Sequence, residues 1–170
     1  MKTKFFSFIF LLLAGSAIGQ SDTSKCHLTH AFGFNAGTTT GIGLSYQMYH
    51  KNKCGLQFTA SPFIYSADNQ RLNFALTGLY KLRDREVVDF VSYASLNYIY
   101  IRQQSYVFYD AIDTYPIVNT NKVNIGAGIG FEFDFKKNFK ASLMGGFAGY
   151  GTDNKWQVLP SIESSLFYTL

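Results

Sequence analysis

KVNIGAGIGFEFDF, residues Lys122 to Phe135, decides how this chain folds. Val123, Ile125, Ala127, Ile129, Phe131, Phe133 and Phe135 occupy every second position. Between them stand Lys122, Asn124, Gly126, Gly128, Gly130, Glu132 and Asp134. A strand turns successive side chains to opposite faces, whereas a helix groups residues three and four apart. Seven unbroken alternations, with no charge among the apolar seven, therefore read as one long strand.

The pattern recurs upstream and downstream. Phe32, Phe34 and Ala36 alternate with Ala31, Gly33 and Asn35; Ile42, Leu44, Tyr46 and Met48 with Gly43, Ser45 and Gln47. Leu56, Phe58, Ala60 and Ile64 oppose Gln57, Thr59 and Ser61. Leu72, Phe74, Leu76, Tyr80 and Leu82 oppose Arg71, Asn73, Thr77 and Lys81. After the decisive stretch come Phe139, Ala141, Leu143 and Phe147 against Lys140, Ser142 and Gly146. Last are Ile162, Leu166, Tyr168 and Leu170 against Ser161, Glu163, Ser165 and Thr169. The fifth strand is the ambiguous one. Phe90, Ala94, Leu96, Tyr98 and Tyr100 face Asp89, Ser95 and Asn97, but Val91, Tyr93, Ile99 and Ile101 share the polar side, so Asp89 sets its register. The chain is all-β, with eight strands.

Two architectures use such strands. A soluble sandwich or lipocalin-like barrel turns its apolar face inward, while a membrane barrel turns it to lipid and keeps a polar interior. None of the eight apolar faces carries Asp, Glu, Lys or Arg. The opposite faces are small and weakly charged for a surface in water. The row Gly126, Gly128, Gly130 suits a crowded interior that must leave room for other side chains. Tyr80, Phe90, Phe133, Phe135, Phe139 and Tyr168 fall near one rim and Tyr98, Tyr100, Phe147 and Trp156 near the other, as interfacial girdles do. Reversing the register would turn Arg71, Lys81, Asp89, Glu132, Asp134, Lys140 and Glu163 to lipid. At ~2–4 kcal/mol per basic residue at mid-depth, and less for acids and near the rims, that costs on the order of 10 kcal/mol. The expected fold is an eight-stranded antiparallel up-and-down transmembrane β-barrel.

The remaining features set its boundaries. Lys2 and Lys4 precede the apolar run Phe5 to Leu13 and the small-residue tract Ala14 to Gly19, the order of a cleaved signal peptide. At about 20 residues per helical span the run is too short for an anchor. The expected organisation is a signal peptide over 1–19, a short periplasmic tail over 20–27 and a barrel over 28–170. Of 170 residues 15 are Lys or Arg and 11 Asp or Glu; losing two Lys leaves 15 − 2 − 11 = +2, too little charge for a nucleic-acid footprint. With 18% aromatic and 15% charged residues the chain is not of the disordered class, and two Cys make no disulfide scaffold.

The links alternate in character. Lys51 to Lys53, Arg83 to Glu86 and Lys136 to Asn138 are short and charged, as periplasmic hairpins are. Thr38 to Thr40, Ser66 to Gln70, Arg102 to Asn121 and Gly151 to Lys155 are expected to face outside. Pro62 and Pro160, which cannot donate to a ladder, fall near the outer rim. With its leader, eight strands and tight charged turns, the chain resembles the small outer-membrane β-barrel proteins of the OmpX and OmpA-transmembrane-domain type. The resemblance covers residues 28–170 and rests on strand pattern. It implies a bacterial outer-membrane location with periplasmic termini, contact with outer-membrane lipid and lipopolysaccharide, and recognition by the barrel-assembly machinery. That machinery usually reads a terminal aromatic; here Leu170 follows Phe167 and Tyr168.

An eight-stranded interior is just wide enough for side chains to fill. Tyr49, Tyr65, Tyr93, Met144 and Phe167 are expected inside, with Lys81 and Lys140 offsetting Asp89, Glu132, Asp134 and Glu163 in an interior charge network. The alternative is a narrow gated pore, and after it a soluble lipocalin-like binder. Some eight-stranded outer-membrane barrels are lipid A deacylases or acyltransferases with a His and a Ser near the outer leaflet. The three histidines here, His27, His30 and His50, all fall at the periplasmic end, so no enzyme and no cofactor is expected. Cys26 and Cys54 meet at the same rim, where a disulfide is the first reading, free thiols the second and a metal site with the histidines the third. The 102–121 link carries Tyr106, Phe108, Tyr109 and Tyr115, aromatics suited to contact an extracellular protein partner. The expected role is structural, adhesive or partner-binding, worked through these outer loops.

Overall fold

A computed structural model describes residues 28–66, 68–83, 87–104, 117–135, 138–152 and 155–170. The leader, Cys26, His27, Tyr106, Phe108, Tyr109 and Tyr115 lie outside the described residues, as does the side chain of Tyr65. Eight strands follow in order: β1 Leu28–Gly37, β2 Gly41–His50, β3 Cys54–Ser66, β4 Asn69–Arg83, β5 Val88–Gln104, β6 Ile117–Phe135, β7 Phe139–Thr152 and β8 Lys155–Thr169. Each pairs antiparallel with its neighbours in sequence, and β8 pairs with β1 to close the barrel.

Following partners round the ring gives Gly33, Ser45, Thr59, Ala75, Asn97, Asn124, Tyr150 and Gln157. Gly33 itself pairs with Phe167 on β8, so one circuit climbs 167 − 157 = 10 residues. With ~3.3 Å per residue and ~4.8 Å between eight strands, a stagger of ten tilts them about 40°. Each residue then rises about 2.5 Å along the barrel axis.

The strands bury their polar faces. On β6, Asn124, Gly126, Gly130 and Glu132 are buried while Val123, Ile125, Ile129 and Phe131 are exposed. Phe32, Leu44, Phe58, Phe74, Leu96, Leu143, Phe147 and Leu166 are exposed too. A soluble protein of this size would not leave so continuous an apolar belt in water, whereas lipid covers it without cost. On β5, Asp89, Val91, Tyr93, Ser95, Asn97 and Ile99 are all buried, so the strand stands in the register that Asp89 indicates.

The rims end in aromatics. Phe90, Phe131, Phe133 and Phe135 contact one another in a row, and Phe139 meets Tyr168 edge-on at 5.3 Å. At the other end the Tyr98 and Tyr100 hydroxyls donate to Asn121 Oδ1 (2.7 Å) and Asn119 Oδ1 (3.1 Å), amphipathic rings with their polar tips satisfied. The β2–β3 link is a tight hairpin turn of three residues, Lys51 to Lys53. Lys51 and Asn52 both have positive φ, 51° and 54°, and the Lys53 N–H donates to His50 O, the backbone twist that suits a tight antiparallel turn.

Candidate functional site

Two groups of buried polar side chains fill the lumen, one above the other. The lower lies near the short-turn end. Lys81 Nζ sits 2.5 Å from Asp89 Oδ2, both nearly inaccessible, and also donates to Asn52 Oδ1 in the β2–β3 turn (2.9 Å). Across the barrel, Glu132 is 0% exposed. Its Oε1 accepts from Gln47 Nε2 (3.0 Å), its Oε2 from the Tyr49 hydroxyl (2.9 Å), and Lys140 Nζ lies 3.6 Å from Oε2. Lys140 is also 3.9 Å from half-exposed Asp134. The Tyr49 ring stands between the two ammonium groups, 4.9 Å from Lys81 Nζ and 4.8 Å from Lys140 Nζ. Two cations over one aromatic face system, two carboxylates and their amide and phenol donors satisfy each other where isolated charges would be costly. Leu79, Val91, Tyr93 and Met144 join Tyr49 in a small buried apolar cluster.

Glu163, expected in the same network, is not part of it. It lies higher on β8 and holds the β1–β2 turn. In the Thr38 to Thr40 turn, expected to face outside, Thr38 is exposed but Thr39 and Thr40 fold into the lumen, 0% and 2% exposed. The Thr39 N–H donates to Glu163 Oε1 (2.8 Å), and the Thr40 hydroxyl bonds Glu163 Oε2. The turn's carbonyls are held in the same way. Asn97 Nδ2 donates to Thr39 O (2.7 Å) and Asn73 Nδ2 to Thr40 O (2.8 Å). Asn35 Nδ2 reaches Thr40 Oγ1 (2.7 Å), and Gln57 Nε2 reaches Asn35 Oδ1 (3.1 Å). The cause is strand length. β1 and β2 have ten residues each against 13 to 19 in the other six, so their turn ends below the opposite rim and bends to a carboxylate that would otherwise be buried alone.

Glycines make room for this filling. A Cβ on Gly126 would stand 2.8 Å from Thr39 Cγ2, and one on Gly128 the same distance from the Tyr93 ring. The wall is therefore bare where the turn and the tyrosine press against it. The Tyr93 hydroxyl in turn meets Ser161 Oγ at 3.0 Å.

The cysteine and histidine rim is less gathered. Cys54 is exposed and pairs in register with His50; His30 Nδ1 lies 2.6 Å from the Tyr46 hydroxyl on the lipid face. No cluster of three metal-binding side chains occurs among the described residues. Sequence reading missed Gln47, Thr39, Thr40, Asn73 and Asn97 as functional parts of the lumen; their one signal was a polar residue on the inward parity of its strand.

A closed eight-stranded antiparallel barrel with a lipid-facing apolar belt and a filled polar lumen defines the class: a transmembrane β-barrel. The N-terminal β-barrel domain of OprF from Pseudomonas aeruginosa is similar with a TM-score of 0.50 at 13% identity, over 84% of this chain and 96% of that one. A major outer membrane protein from Thermus thermophilus is similar with a TM-score of 0.50 at 11% identity, over 85% of this chain and 100% of that one. At such identity the likeness is one of fold. No family model and no curated protein matches the sequence.

Proposed function

We propose that this chain is a bacterial outer-membrane barrel with its termini in the periplasm and a structural or adhesive role, meeting its partners through the loops at the long-strand end. The observation that carries the reading is the filled lumen. With Tyr49 and Glu132 closing one level and the Thr39 turn another, the conducting alternative has little space, and binding is left to the outer loops. The β5–β6 ladder runs to Gln104 and Ile117, four residues past Tyr100, which lifts its tip about 10 Å above the aromatic rim. Tyr106, Phe108, Tyr109 and Tyr115 belong to the segment that this ladder presents, and large aromatics of that kind anchor protein interfaces.

The test replaces residues 106–115 by a short Gly-Ser turn and measures adherence of expressing cells to candidate protein surfaces, alongside single-channel conductance. The expected result is a variant that inserts normally, loses adherence and conducts no more than the parent. Unchanged adherence would sink the loop reading, and stepwise currents from the parent chain would favour the gated pore.

A further inference from the structure

The short first hairpin leaves a notch in the barrel wall. Among the described residues, Lys155 to Ser161 of β8 pair only with β7 and Pro62 to Ser66 of β3 only with β4; the β1–β2 turn ends near the level of Phe63, below the upper parts of both. Three strand spacings separate β8 from β3 there, about 14 Å. From Ile162 to Val158 the notch is about 10 Å tall. Val158 stands ten residues up β8 from Tyr168, about 25 Å of height at this tilt, the depth of the apolar band of such a barrel. The notch therefore opens within the lipid layer rather than above it, and its flanks, Ile42, Ile64 and Val158, are lipid-exposed.

Beside it lies a cavity of about 200 Å³ whose lining includes both lipid-exposed Ile42 and the buried side chains of Asn73 and Ile99. Ile42 lines it at the mouth, Phe63 and Ile99 on the inner side, with Arg71 above and Asn73 and the Thr38–Gly41 turn beneath. Arg71 has no carboxylate within ion-pair distance among the described residues; the neighbouring guanidinium, Arg102, is matched by Asp68 at 3.5 Å. The two free strand edges do not invite a protein strand. Ile162 turns its N–H and C=O to Thr38, so Pro160, two residues on, turns its missing donor to the notch. Ala60 likewise lays its carbonyl against Gly43 on β2, which puts the Pro62 nitrogen on the same open side.

We propose that this notch is a lateral port: an acyl chain from the outer leaflet enters it and lies on Phe63 and Ile99, with the anionic head of the same amphiphile at Arg71. Hydrocarbon surroundings, an apolar inner wall, proline-guarded edges and one unmatched cation all fit a single-chain anionic amphiphile better than a peptide. The port rests on the outer-membrane reading above, because it takes the long-strand end as the outer leaflet.

The test uses the full mature chain inserted in phosphatidylcholine vesicles containing a trace of a fatty acid with a diazirine at mid-chain. Insertion is established first by heat-dependent gel mobility, then crosslinked residues are mapped by mass spectrometry. The expected result is labelling of Ile99, which is buried in the lumen and out of reach of lipid on the outer belt, together with the more exposed Phe63. Arg71→Gln lowers that labelling about fivefold, the effect of one exposed charge contact, and leaves labelling by the corresponding fatty alcohol unchanged. Ile99→Trp, which fills the cavity, removes labelling at Phe63 by either probe. Crosslinks confined to Ile42, Ile64 and Val158 would overturn the port while leaving the barrel intact. A chain that does not insert at all would overturn the membrane reading and the port with it.

Discussion

Replacing Glu132 by alanine removes the acceptor on which the lower lumen is organised. Two hydrogen bonds to a charged group disappear, from Gln47 and Tyr49, each contributing about 1.5–3 kcal/mol. Lys140 keeps the Tyr49 ring and, as its one remaining carboxylate among the described residues, the half-exposed Asp134 at 3.9 Å, and breaking a buried ion pair from one side costs about 3–5 kcal/mol. These figures overlap, since the same oxygen serves Tyr49 and Lys140, and water entering the vacated volume recovers part of the loss. The expected destabilisation is about 4 kcal/mol. With a urea slope of about 2 kcal/mol per molar, the unfolding midpoint falls by about 2 M. Trp156, the single tryptophan, reports the transition in detergent or vesicles. Glu132→Gln, which keeps the shape and one acceptor, loses roughly half as much. The double variant Glu132→Met with Lys140→Met recovers most of the loss, because both charges leave together. A Glu132→Ala midpoint within about 0.3 M of the parent, well under about 1 kcal/mol at that slope, would refute the claim that this carboxylate holds the lumen together.

The refolded mature chain should migrate fast on a gel and slow only after boiling; a single heat-insensitive band would contradict a detergent-stable closed barrel. Ile129→Arg places a cation on the lipid face near mid-depth and should cost about 2–4 kcal/mol in vesicle-based unfolding, whereas an unchanged midpoint would mean that this face does not meet lipid. Gly128→Val drives side-chain carbon into the Tyr93 ring and the Gly146 backbone and should abolish the heat-modifiable form; normal assembly would show the wall there to be more open than described. Cys54, a free and exposed thiol, should take up a maleimide at once in the mature chain; labelling that waits for reductant would establish a disulfide with Cys26 instead.

Most of the wall was legible because lipid imposes a rule that each strand obeys alone. β6 needs no partner to declare its two faces, and one buried carboxylate, Asp89, was enough to choose between the near-equal faces of β5. The interior pairs within a hairpin were legible for the same reason, since Lys81 and Asp89 are eight residues apart on adjoining strands. Glu163 was misplaced because its donors, Thr39 and Thr40, lie about 124 residues away and reach it only through the stagger of the closed ring. Alternation tells which face a residue takes but not its height. The inward fold of Thr39 and Thr40 depended on height, and the lengths of β1 and β2 against the other six were the available clue.

The seam between β1 and β8 has seven residue pairs, Ala31 with Thr169 through Gly37 with Glu163, against seventeen between β5 and β6. It also joins the two ends of the barrel in sequence, so its closure entropy is the largest of any strand pair and it is the natural last step of folding. Until then β1 and β8 both present open edges, the condition in which strands add to the wrong neighbour. The grip of Glu163 on the first turn lies at the top of this seam, where it acts as a latch that fastens the first strand of the chain to the last.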